Sequence, residues 1–197
     1  KAGLNPSCVV IVATVRALKY NGGVLKENLS EENVEALKKG IVNLERHIEN
    51  IKKFGLPVVV SINRFLTDTE KELEFVKKYC AEKGAECVLC ETFAKGGEGG
   101  IELAEAVIRA CDEKSCFHTL YEDSLTIEEK IGKIAKEIYR AGEVIISTAA
   151  KKAIERIERD GFGSLPVCMA KTQYSFSDDP KKLGAPKDFA LNVSEVR

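Results

Sequence analysis

Apolar and polar positions along the chain alternate between two periods. Residues 8–15 (C-V-V-I-V-A-T-V) form a near-continuous β-branched run, the pattern of a strand buried on both faces. Ser30 then offers an N-cap, and Val34, Leu37, Ile41, Leu44, Ile48 and Ile51 recur at three- and four-residue steps as far as Phe54. That spacing predicts one long amphipathic helix with a single apolar stripe. Residues 57–62 (P-V-V-V-S-I) predict a second strand, residues 69–83 a helix and residues 86–89 a third strand. Gly96 to Gly100 leads into a helix through Ile101, Leu103, Ala104, Val107 and Ile108.

Thr126 and Glu129 have the spacing of a capping box and open a helix through Ile131, Ile134, Ile138 and Tyr139. A short strand at 144–147, a helix at 150–159 stopped by Gly161, and a last strand at 165–170 complete the pattern. Residues beyond Pro180 read as a loop. The repeated β-α-β order calls for an α/β fold, a mostly parallel sheet flanked by helices and joined by right-handed crossovers. The least compact stretch, 111–125, suggests a core lobe over 1–115 and a second segment over 116–197, unless the whole is one domain.

The 197 residues are 44% hydrophobic, enough for a well-buried domain. Thirty basic and 31 acidic side chains leave a net charge of -1, so no global field draws the chain to nucleic acid or to an anionic membrane. With no membrane-length apolar run and no signal-peptide core near the start, a cytoplasmic location is expected. Seven cysteines, an odd number, fit reduced thiols. A zinc site from Cys87, Cys90, Cys111, Cys116 and His118 is disfavoured, because residues three apart on a strand point to opposite faces.

Four polar loops follow predicted strands and should share the sheet's carboxyl edge, where open α/β folds bind ligands. The first carries Arg16 and Lys19, then Gly22 and Gly23; the cations suit an anion, or are ordinary helix-end charges. The second, Asn63-Arg64-Phe65-Leu66-Thr67-Asp68-Thr69, offers two polar groups and an aromatic face, with Asp68 a candidate helix cap. A guanine-recognition N-K-x-D motif is excluded there, since the aspartate comes two positions too late. The third, Glu91 to Gly100, carries Phe93 and a glycine-rich turn before a helix, which can present backbone N–H groups to an anion or is a flexible loop; it lacks the Gly-Lys-Ser/Thr ending of a triphosphate cradle. The fourth, Leu165 to Asp179, places Lys171 among Thr172, Gln173, Tyr174, Ser175 and Ser177. It is either a phosphate or oxyanion site or a turn satisfying its own backbone.

These four segments, in this order and across essentially the whole chain, resemble formate–tetrahydrofolate ligase, also called 10-formyltetrahydrofolate synthetase. The Lys171-Thr-Gln-Tyr-Ser-Phe-Ser-Asp-Asp179 form is most similar to the monofunctional bacterial enzymes. The resemblance implies a P-loop NTPase-like fold and ATP-dependent joining of formate to tetrahydrofolate through formyl phosphate, with ATP and Mg²⁺ required. It also implies a cytoplasmic homotetramer acting on small molecules. By motif position, Phe65 and Phe93 are expected to stack on the pterin ring, although many members carry tryptophan at the second place and this chain has none. Asn63, Arg64, Gly96 and Gly97 would complete the folate side. Lys171, Thr172, Gln173, Ser175 and Arg16 would lie near the phosphate or formyl group.

The family's Gly-Lys-Ser-Thr phosphate loop and its Met-Pro-Gly-Leu-Pro-type segment do not occur between Lys1 and Arg197. The chain therefore reads as a central-to-C-terminal piece of the ligase, inactive alone and completed by the remainder of that chain. The rival reading is a non-catalytic binding or oligomer-assembly partner that keeps the ligase fold.

Overall fold

The computed structural model describes residues 3–170 and 174–197. The chain divides into two compact units, residues 4–118 and a second built from 119–197.

In the first unit, strands β1 (Val9–Ala13), β2 (Val58–Asn63) and β3 (Glu86–Cys90) form a parallel sheet in the order β1-β2-β3. Val10 lies opposite Val59, and Val59 opposite Glu86, so all three strands run the same way in close register. β2 is central and its Val59, Val60 and Ile62 are wholly buried. Each such side chain contributes about 1.5–3 kcal/mol of burial. β1 departs from expectation: it is an edge strand, with Val10 37% and Val12 68% exposed. One face of the sheet is covered by a core in which Ile11 and Ala13 pack with Leu37, Ile41, Leu44, Ile48, Leu73 and Val76. On the other, helix α6 (Ile101–Asp112) sets Ala106 and Ala110 against Val59 and Val88 and leaves Val10 and Val12 bare.

The expected long helix is two, α2 (Val34–Gly40) and α3 (Val42–Lys52), and its cap is the Asn33 side chain, which accepts from Ala36 N–H, rather than Ser30. The glycine at that junction has a steric cause. A Cβ at Gly40 would lie 1.9 Å from the carbonyl oxygen of Leu18 in α1 (Val15–Asn21), and one at Gly22 would lie 1.9 Å from that of Ala36. The two backbones touch, and only glycine permits it. Helix α4 (Glu70–Glu82) opens with a reciprocal capping box between Thr69 and Glu72. Thr69, not Asp68, is therefore the cap. The short helix α5 (Thr92–Lys95) and one 3-10 turn connect β3 to α6.

In the second unit, α7 (Ile127–Ile134) starts on the expected Thr126–Glu129 box. It runs into a π-helical turn, 135–139, that ends at Arg140 in the left-handed region. Strand β4 (Glu143–Ile146) pairs in parallel with β5 (Ala190–Val193), and α8 (Thr148–Arg159) follows β4. Two expectations fail here. Residues 165–170 form no strand; the backbone of Val167 is held by Tyr121 Oη, which accepts from its N–H at 2.8 Å and donates to its C=O at 3.0 Å. The partner for β4 comes instead from beyond Pro180, a stretch read as loop. Ile127, Ile131 and Ile154 form a small core with Val144, Val167 and Val193, and Phe176, Phe189 and Leu191 form another with Tyr139.

Candidate site at the carboxyl edge of the parallel sheet

Register brings three of the four loops to one edge. Ala13 is level with Ile62, and Asn63 with Cys90, so Arg16, Arg64, Phe65 and Phe93 all emerge past the carboxyl ends of neighbouring strands. Asn63 is the last residue of β2 and half-buried.

The loop after β2 is held from beneath. Asp68 accepts a hydrogen bond from Phe65 N–H at 2.9 Å, and its other carboxylate oxygen is buried without a hydrogen-bond partner among the described residues. Burial pushes the Asp68 carboxyl up, and nearby Glu72 adds to this. The Phe65 N–H, Lys19 and Arg16 oppose the rise without cancelling it. The Phe65 ring is 38% exposed, with the Arg16 guanidinium 5.2 Å from its centroid, within cation–π range. Phe93 is 98% exposed. A phenylalanine that bare forgoes nearly all its burial energy and leaves a flat aromatic face open to solvent.

Arg64 acts as a brace between two of the loops. Its guanidinium lies 2.6 Å from Glu70 at the start of α4 and 3.6 Å from Glu91 after β3, while its N–H donates to the Cys90 carbonyl at 3.1 Å. Glu91 is also paired with Lys95 at 2.6 Å, and the Lys95 hydrogen bond holds its carboxyl below the usual range. Cys90 sits at the end of β3 with its sulfur 3.5 Å from Thr92 Oγ1. Hydrogen bonds from Thr92 and Ser61 lower its thiol pKa against the opposing effect of burial. The sequence marked Cys90 only as a member of a disfavoured zinc set, because the lowering comes from Thr92 in the turn after β3 and from Ser61 on the neighbouring strand.

The glycine-rich turn divides by role. Glu91 N–H donates to Gly99 C=O at 2.9 Å, and a Cβ on Gly99 would come 2.5 Å from the Glu91 backbone. Gly99, which the sequence did not single out from its neighbours, is the close-approach glycine. Gly96 is needed for its φ of +59°, and a Cβ on Gly97 would meet open space.

Arg16 and Lys19, expected in a loop, lie in helix α1, capped by Thr14 immediately after β1, and Lys19 is not free to hold a ligand. It is 1% exposed, its Nζ lies 2.9 Å from Glu72, and it donates to the Glu31 carbonyl at 2.7 Å. Gly22 is occupied by the Ala36 backbone, so the loop's chemistry reduces to Arg16.

The fourth loop lies in the other unit. Lys171, Thr172 and Gln173 fall outside the described residues. Ser175 has a φ of 79°, in the region that favours glycine. Phe176 is a core residue, and buried Ser177 accepts from Asp179 N–H at 3.0 Å. Asp178 accepts from Asn192 Nδ2 at 2.7 Å. From 176 to 179 the motif serves its own fold. A groove of about 680 Å³ in this unit is lined largely by apolar side chains, among them Ile131, Phe162, Val167 and Val193. None of the three sheet-edge loops lines it.

Among the described residues, no group of three or more His, Cys, Asp or Glu side chains is placed to hold a metal ion, and no helix is long and apolar enough to cross a membrane.

Parallel strands whose carboxyl edge carries exposed aromatics, an asparagine and a glycine-rich turn define an α/β enzyme domain of the kind that binds ligands at strand ends. A family model described as formate–tetrahydrofolate ligase matches residues 1–197, and the chain belongs to that family. Its members are carbon–nitrogen ligases of one-carbon metabolism, joining formate to tetrahydrofolate with ATP.

Proposed function

We propose that the edge formed by residues 63–65 and 91–100 is the folate-facing part of the ligase site. The observation that carries this reading is the exposure of Phe65 and Phe93 on adjacent in-register strand ends. Flat aromatic faces suit a pterin ring, and each stacking contact is worth about 0.5–1.5 kcal/mol beyond its buried area. Asn63 supplies a donor and an acceptor for the ring edge. Arg64 keeps the two aromatic-bearing loops at a fixed spacing through Glu70 and Glu91, and Gly96 and Gly97 form the wall. Arg16 backs the Phe65 ring with positive charge, which also suits a developing oxyanion or a phosphate. Lys171, Thr172, Gln173 and Ser175 are proposed for the phosphate or formyl side on their sequence motif alone.

Among the described residues no group of three or more His, Cys, Asp or Glu side chains is placed to hold a metal ion, and Lys19 is committed to Glu72. We therefore assign these residues substrate binding and positioning and route no phosphoryl step through them. The sequence has no Gly-Lys-Ser/Thr phosphate loop, so residues 1–197 by themselves are expected to bind without turnover.

Calorimetric titration with tetrahydrofolate tests the assignment. Phe65→Ala and Phe93→Ala should each weaken binding about tenfold, while Phe162→Ala, an exposed aromatic of the other unit, should not. Failure of the unsubstituted protein to bind, or indifference to both site substitutions, would refute it.

A further inference from the structure

The first unit carries a thiol pair that folate binding does not use. Cys8 lies immediately before β1 and Cys111 in the last turn of α6, 103 residues apart in sequence, with their sulfurs 3.5 Å apart. Both flanks are anchored. Val9 N–H donates to Pro57 C=O at 3.0 Å, Cys8 packs against the cluster of Val59, Val88, Ala106 and Ala110, and Arg109 pairs with Glu86 at 2.6 Å. Cys111 is exposed and Cys8 half-buried, so a soluble reagent can reach the pair from the Cys111 side.

We propose that Cys8 and Cys111 are a redox-sensitive pair that closes to a disulfide by exchange with a small-molecule disulfide such as oxidised glutathione, tying the edge strand β1 to α6. The Cys111 thiolate attacks one sulfur of the reagent, forms a mixed disulfide and expels the first thiolate. Cys8 then loses its proton to solvent and attacks Cys111 Sγ, expelling the second. Two cysteines are oxidised, one small disulfide is reduced to two thiols, and the two protons end on those thiols. The sulfurs must close by about 1.5 Å to reach bonding distance.

The order of steps follows from the environments. Burial first, then the contact with Cys111, raises the Cys8 thiol pKa and makes Cys8 the slower initial nucleophile. A second pair, Cys80 with Cys87, is also hydrogen-bonded, but Cys80 is wholly buried and shielded from the reagent. A bond between residues 8 and 111 restricts a long loop in the unfolded chain, so oxidation should stabilise the unit.

The test is incubation of the full chain with oxidised glutathione at mildly alkaline pH, followed by non-reducing peptide mapping and thermal melts. The expected result is a peptide joined between Cys8 and Cys111, lighter by two hydrogens than the reduced pair. The melting midpoint should rise by roughly 5 °C or more. Cys111→Ser should abolish both effects and leave the reduced protein's midpoint unchanged. Glutathione remaining on Cys111, a bond from either cysteine to another, or an 8–111 bond that does not move the midpoint would overturn the proposal.

Discussion

Removing the charge of Lys19 should cost the first unit more than almost any surface change, because its partner cannot escape to water. Lys19 and Glu72 are 1% and 0% exposed at 2.9 Å, and Lys19 also caps the Glu31 carbonyl. Glu72 is the hub of the contact. Its carboxylate accepts from Asn33 N–H at 3.0 Å and from Thr69 N–H at 3.2 Å, joining the start of α2 to the start of α4. Lys19→Met fills nearly the same space but leaves a buried carboxylate without its counter-ion. Truncating one partner of a buried pair costs about 3–5 kcal/mol, or roughly a hundred- to several-thousand-fold in the opening equilibrium. Native-state hydrogen exchange at residues 58–63 of β2 reads that loss directly, since those amides exchange when the unit unfolds. Lys19→Met combined with Glu72→Gln should recover part of the loss, because no charge is stranded, while glutamine's one carbonyl oxygen can accept from only one of the two N–H groups, Asn33 and Thr69, that the two carboxylate oxygens serve. A Lys19→Met loss below about 1 kcal/mol would place the pair in the class of weak surface bridges and refute the reasoning.

The same pair sets an acid limit. Burial would raise the Glu72 carboxyl, but the Asn33 N–H, Lys19 and the Thr69 N–H together hold it below its ordinary value. A depressed folded-state pKa gives stability that is present above the unfolded value, about 4.3, and is lost as pH falls through the folded one. Urea midpoints measured against pH should fall over that range, and in Lys19→Met, where the Glu72 carboxyl loses its counter-ion and rises, that fall should shrink or reverse. Gly99→Ala should cost about 1–3 kcal/mol by driving a Cβ into the Glu91 backbone. Gly97→Ala should be neutral or slightly stabilising, which thermal melts of the two variants can compare. Lys130, wholly buried, donates to the Gly163 and Leu165 carbonyls at 2.8 and 3.1 Å. Lys130→Met should loosen that segment by about 1–3 kcal/mol and speed protease cleavage near Phe162. Thr126→Ala should remove the α7 cap and cost about 1 kcal/mol, read as lost helical circular dichroism on heating.

What could be read from sequence and what could not differ in the kind of interaction involved. β2, Thr126 with Glu129 and the lead from Gly96 into α6 are local signals: β-branched runs, reciprocal capping, a flexible turn. Residues 165–170 show where such signals stop. Their alternation of Leu165, Val167 and Met169 specifies an extended chain, but a strand also needs a ladder partner, and β5 takes the place beside β4. β5 itself, A-L-N-V, is short and follows a proline- and lysine-rich stretch, so nothing local announces it. In the candidate site, the aromatics and glycines were visible as residue types, whereas the commitment of Lys19 to Glu72 and of Arg64 to Glu70 and Glu91 is tertiary. Sequence shows which charges exist and not which are already answered by a partner.

The bare face of β1 bears on how the protein behaves in solution. From Cys8 to Ala13 the chain carries no charge, no proline and no glycine, and three of its residues are valine. β1 has a hydrogen-bonded neighbour on one side only among the described residues, and Val10 and Val12 face outward. Such a strand is a template for another copy of itself. Its concentration limit should therefore be set by main-chain pairing and apolar contact, insensitive to salt, and a single outward lysine at position 12 should raise it.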